Sequence, residues 1–176
     1  MALISANTVL SYPQPKKISL DNVGTAEYRQ TKLKRGRQFT DPVIAYSCIV
    51  VVTIDKQEKG LAKTRKVTFN HMSFLEEPKD FVATRLVNKV DPEKVYVGVF
   101  GGDSREFRSV DFLKEVKTEL RSAGFSITMS DVMGDIYSRR ISVFNSSDGP
   151  GVVIDRQPQL TDDTAGLLRA VQFFNN

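Results

Sequence analysis

Pro42-Val43-Ile44-Ala45-Tyr46-Ser47, followed directly by Cys48-Ile49-Val50-Val51-Val52-Thr53-Ile54, is the stretch on which the fold turns. It is rich in β-branched residues and too short on each side of its centre for a helix, which reads as two strands with a sharp break between them. Asp55-Lys56-Gln57-Glu58-Lys59-Gly60 is a polar turn, and the chain returns as a strand from Ala62 to Phe69. The two runs form a hairpin, with Cys48 at the head of one arm and His71 just beyond the end of the other.

The chain has one cysteine and one histidine. A thiol becomes a good nucleophile at neutral pH when a base stands beside it, and imidazole is the side chain best suited to that task. An activated pair predicts a thiol pKa below the ordinary value, rising when His71 is removed. Each residue also has a plainer reading: a cysteine before an aliphatic strand as a small buried hydrophobe, and a histidine at a strand end as a packed or surface residue. At this point both remain open.

Further along, Pro78-Lys79-Asp80 opens a helix with Phe81, Val82, Leu86 and Arg85 on one face, ending by Asp91-Pro92. Val95-Tyr96-Val97-Gly98-Val99-Phe100 is a short buried strand stopped by Gly101-Gly102, whose glycines permit a tight turn. The clearest helix runs from Ser104 to Ala123, with Val110, Leu113, Val116 and Leu120 at three- and four-residue spacing and Gly124 as its stop. Strands are expected over Phe125–Met129, Arg140–Phe144 and Val152–Asp155, the last two joined by a turn over Asn145–Gly151. Asp131 is expected to brace a loop, and one of Arg139 and Arg140 to be a solvated strand-end charge. A short terminal helix is expected from Thr161, with Leu167, Leu168, Val171 and Phe174 inward. The order of elements is mixed α/β (α+β), with β-sheets packed against flanking helices.

Pro13, Pro15 and the charges of Lys16, Lys17, Lys32, Lys34 and Arg35 mark residues 1–36 as a basic lead-in, leaving 37–176 as a single domain. At 176 residues, with 40% hydrophobic and 26% charged residues, the chain suits one globular core. One cysteine cannot form an internal disulfide, and one cysteine with one histidine makes a structural zinc site of the usual type implausible; no metal or organic cofactor is expected. No apolar run reaches the roughly 18 residues of a membrane helix, so no membrane insertion is expected. The start of the chain lacks a secretory leader, which makes the expected location cytoplasmic, or a host cytosol for an exported effector. No aromatics alternate with the basic residues as a stacking platform would require, so nucleic acid is not an expected partner.

In order along the chain, Ser47-Cys48 with its aliphatic strand and Asp55, then His71 with Pro78 downstream, then Val99-Phe100-Gly101-Gly102, make a recognisable series. The long helix, Asp131-Val132-Met133-Gly134, Ser138-Arg139-Arg140 and Gly149-Pro150-Gly151 complete it. With these features, the chain from about Thr40 to Arg156 resembles the chemoreceptor glutamine deamidase (CheD) family. The chain differs in carrying Tyr46 where that family usually has a glycine, and Asp135 in place of the second glycine of a pair.

The resemblance implies a sandwich of sheets and helices shared with the cytotoxic necrotizing factors and the Burkholderia lethal factor. It implies a protein-glutamine deamidase whose nucleophile is Cys48 and whose general base is His71. Thr40 is then the candidate for orienting the imidazole, although it lies two residues further from Cys48 than the family's spacing, and the backbone at Ser47 the source of oxyanion donors. The partner is a glutamine-bearing target protein, either a chemotaxis receptor or a host regulatory protein, and the enzyme is expected to be a monomer. The same dyad also fits a thiol protease or acyltransferase, and the same fold fits a non-catalytic binding module.

Overall fold

The computed structural model describes residues 16–18, 28–34, 38–40, 42–56, 64–133, 137–146, 149–158 and 168–173. The protein is of mixed α/β class, built as two sheets with helices against one of them. The break at 46–48 separates the two sheets. Before it, β4 (Val43–Ala45) pairs with β9 (Tyr137–Ser146); after it, β5 (Ile49–Asp55) lies in the other sheet, between β6 (Thr64–Met72) and β7 (Val95–Gly101). The six-stranded sheet runs β1 (Lys16–Ile18), β3 (Gln38–Thr40), β9, β10 (Gly149–Pro158), β11 (Leu168–Phe173), with β4 sharing an edge of β9. The five-stranded sheet runs β2 (Tyr28–Lys34), β6, β5, β7, β8 (Ile127–Val132).

The continuous apolar run of β5 follows from its place at the centre of the molecule. Val50, Val52 and Ile54 face the six-stranded sheet, where they meet Val43, Ala45, Ile141, Val143, Val152 and Ile154. Ile49 and Val51 face the other way, onto a second core with Phe81, Val82, Leu86, Phe112, Leu113, Val116 and Leu120. A strand buried on both faces carries no polar alternation. β7 and β8 are parallel and so need a crossover, which α2 (Phe107–Ser122) supplies.

The helix opened by Pro78 has the expected inner face, but only Pro78–Phe81 is α-helical (α1); Val82–Val87 continue it as a wider π-helical turn. Arg85 is partly exposed and pairs with Glu76 at 3.4 Å. In α2, Leu113, Val116 and Leu120 are buried as expected, and Ser109 and Phe112 join them.

Three expectations need correction. Within residues 1–36, Tyr28–Lys34 is no lead-in: it is β2, paired along its whole length with β6, and Leu33 is fully buried in the inter-sheet core. A segment with one inward apolar residue carries too little periodicity to be read as a strand, yet the edge of β6 provides its hydrogen bonds. The terminal helix also fails where the structure describes that region. Leu168–Phe173 is β11, in six-pair antiparallel register with β10. Its few apolar residues fit either period, and the open ladder of β10 decides between them. Residues 161–167 and 174–176 lie outside the described residues. Finally, Asn145–Gly151 is not all turn, because the β9–β10 ladder extends to Ser146 opposite Gly149.

Among the described residues, no helix is long and apolar enough to cross a membrane.

Candidate active site

At one end of the five-stranded sheet, β5 begins while β6, β7 and β8 finish, so the segments 46–48, 73–77 and 102–106 and the residue Met133 gather there. Cys48 is half-buried in the first of these. His71 lies within β6 rather than beyond it, and is largely buried. Val50 is the register partner of His71 and Ile49 that of Met72, which puts Cys48 one step past the last pair. Cys48 and His71 thus lie at the same end of the sheet, the histidine inside the ladder and the cysteine in the bend that leads into β5.

The backbone around Cys48 is clamped by its neighbours. Gly102 N–H donates to the Cys48 carbonyl oxygen at 3.2 Å. The Ser109 hydroxyl donates to the Ser47 carbonyl oxygen at 2.9 Å and accepts from Asp103 N–H at 3.0 Å. Met133 N–H closes the far side onto the Gly101 carbonyl at 3.2 Å, with Met133 itself at φ 59°. Gly101 is required for this closeness: at φ +107° a side chain is strained, and a Cβ there would stand 2.1 Å from the Cys48 oxygen. The expected role of Gly101 and Gly102 as turn-formers is therefore sharpened, since the turn presses against the Cys48 segment.

A polar shell surrounds the clamp. Arg105 holds Asp103 through two contacts, of 3.1 and 2.8 Å, and reaches the Tyr46 hydroxyl at 3.1 Å. That guanidinium keeps the Asp103 carboxyl below its usual range. Deeper, Asp131 on β8 receives Arg139 at 3.3 Å and Arg156 at 2.9 Å, and Arg139 also donates to the Gly102 carbonyl at 3.4 Å. Arg140 is exposed and Arg139 buried, so one of the pair is the solvated charge expected; Asp131 braces the Gly102 segment through Arg139.

The electrostatics of the thiol run against the simplest expectation. Burial, the largest influence, pushes the Cys48 thiol up; the Ser47 hydroxyl pulls it down, the Glu106 carboxylate raises it, and its own backbone N–H lowers it. The net direction is upward, so the resting group is a thiol. The Ser47 hydroxyl thus stands beside the sulfur, a contact distinct from the backbone role expected of Ser47. Thr40 lies at the end of β3, buried, where its Oγ1 accepts from Val143 N–H at 3.0 Å and ties β3 to β9. Among the described residues, no three His, Cys, Asp or Glu side chains gather in a group able to hold a metal ion.

Sequence reasoning missed Ser109, Asp103, Arg105 and Glu106. Ser109 had a signal: it occupies a position on the buried face of an otherwise apolar helix stripe. The others lie in a loop with no periodicity to interpret.

In comparisons with known proteins, no family model and no curated sequence matches this chain.

Proposed function

We propose that the protein is a cysteine-dependent protein-glutamine deamidase. The observation that carries this reading is the register of β5 against β6, with Val50 opposite His71, which brings the chain's single cysteine and single histidine to the same end of the sheet. The clamp on the Ser47 and Cys48 carbonyls supports it further, since acyl transfer needs a rigid nucleophile segment. Phe74, Leu75 and Phe107 are exposed apolar side chains at this same end, and favour a macromolecular substrate over a small polar one.

The mechanism follows from a thiol that is protonated at rest. His71 takes the Sγ proton as the sulfur attacks the glutamine side-chain carbonyl carbon, an approach that tightens when substrate binds. The carbonyl oxygen carries the negative charge of the tetrahedral adduct. Its collapse breaks the C–N bond, and the imidazolium passes its proton to nitrogen, so that ammonia leaves. Water then adds to the thioester by the reverse sequence, giving glutamate and the free thiol.

The test compares wild type with folded Cys48→Ala on a bacterial and a eukaryotic protein extract, reading glutamine-to-glutamate conversion by peptide mass spectrometry. Conversion by wild type alone supports the reading; conversion by both, or by neither, overturns it. A second reading, a binding module that keeps the fold without the reaction, is favoured by the upward shift of the thiol. Under that reading neither protein converts glutamine, and alkylation of Cys48 is slow and indifferent to His71→Ala. Peptide cleavage in place of deamidation would point instead to a thiol protease.

A further inference from the structure

The peptide joining Ser47 to Cys48 is trans, as are all the described peptide bonds, so its carbonyl and its N–H point in opposite directions. Its carbonyl oxygen is held by the Ser109 hydroxyl on α2 at 2.9 Å, which turns the Cys48 N–H away from α2. The next carbonyl, of Cys48 itself, is held by Gly102 N–H at 3.2 Å, so the peptide on the other side of the nucleophile is fixed too. Ser109 has no exposed surface, and its hydroxyl is oriented from behind by the Asp103 N–H it accepts, leaving its proton for Ser47.

We propose, resting on the deamidase reading, that Ser109 is a positioning residue for the oxyanion donor: it locks the Ser47–Cys48 peptide so that Cys48 N–H is presented to the oxygen of the tetrahedral adduct. Both bonds of the Ser109 hydroxyl are to backbone, at the Ser47 carbonyl and the Asp103 N–H. Its effect passes through the one peptide plane it holds.

Two reagents separate this role from a structural one. With p-nitrophenyl acetate, Cys48 Sγ forms a bond to the acetyl carbon through an oxyanion adduct, the C–O bond breaks, and p-nitrophenol carries off the thiol proton or ionises. With iodoacetamide, sulfur displaces iodide from carbon and no oxyanion forms. Ser109→Ala should slow acetylation roughly 10- to 100-fold, a part of the loss seen when such a donor is removed outright, with alkylation unchanged. Ser109→Thr, which keeps the hydroxyl, should restore acetylation.

Equal slowing of both reactions, or of neither, overturns the proposal while leaving the deamidase reading intact. A wild-type protein acetylated no faster than free cysteine overturns both. Should Ser109→Ala not fold, the crystal structure of the wild-type acetyl-enzyme decides. An acetyl oxygen bonded to Cys48 N–H upholds the proposal, and one bonded elsewhere overturns it.

Discussion

Glu106 stands at the N-cap of α2 without making a side-chain capping bond, and its charge bears on the Cys48 thiol. A carboxylate near sulfur disfavours the thiolate, so removing it lowers the thiol pKa and leaves more thiolate at any pH below that value. Glu106→Gln should therefore speed iodoacetamide alkylation of Cys48 at neutral pH and move the alkylation profile to lower pH. The gain should be partial, because burial is the larger cause and stays in place. An unchanged or upward-shifted profile would show that the carboxylate does not reach the sulfur. The substitution has little to disturb structurally, since no cap is lost and the Asp103–Arg105 pair is untouched.

At the scale of elements, the end of β7 is shaped to let the Cys48 segment lie against it. Gly101→Ala would place a Cβ 2.1 Å from a backbone oxygen at a φ of +107°, so the segment must move. Backbone strain of this kind costs about 1–3 kcal/mol before any clash is counted, and a loss of more than about 2 kcal/mol in urea unfolding is expected. A loss below about 0.5 kcal/mol, the range of an ordinary surface change, would mean the close approach is not there. The Gly101-Gly102 pair was legible in the sequence as a turn, but not as a contact, because the partner lies 53 positions earlier in the chain. The central strands were legible for the opposite reason: their apolar runs are long and unbroken, with burial on both faces. β2 was not, since Leu33 is its one core residue amid Lys32, Lys34, Thr31 and Gln30. Cys48 and His71 stood out by being single residues of their kinds. Thr40 was placed by resemblance, and its oxygen is engaged by the β9 backbone. The charges around the clamp come from the loop before α2 and from β8, β9 and β10, which no local pattern joins.

Across the whole molecule, among the described residues, the two sheets are joined by the apolar core between them, by buried bonds of Asn145 to Arg65 and the Leu33 carbonyl, and by a buried ionic group at the end that carries Cys48. Asp131 comes from the five-stranded sheet, Arg139 and Arg156 from the six-stranded one. Arg139 is 2% exposed at its side chain and Asp131 6%, while Arg156 at 37% retains contact with solvent. Removing one partner of such a group leaves a charge buried without compensation, which costs about 3–5 kcal/mol, whereas replacing both with apolar residues is often neutral. Asp131→Ala should fall in that range by urea or thermal unfolding, and Asp131→Ala with Arg139→Met should be less destabilised than the single change. The ordering of single against double is the decisive outcome: a double variant as unstable as the sum would make the group a set of independent contacts. Arg139 also holds the Gly102 carbonyl, and Gly102 holds the carbonyl of Cys48. Loss of Asp131 should therefore weaken the Gly102–Cys48 bond of the clamp, read as faster hydrogen exchange at Gly102 N–H than the fall in global stability accounts for. If unfolding shifts but exchange at Gly102 N–H does not exceed it, the ionic group secures the two sheets alone and the clamp stands without it.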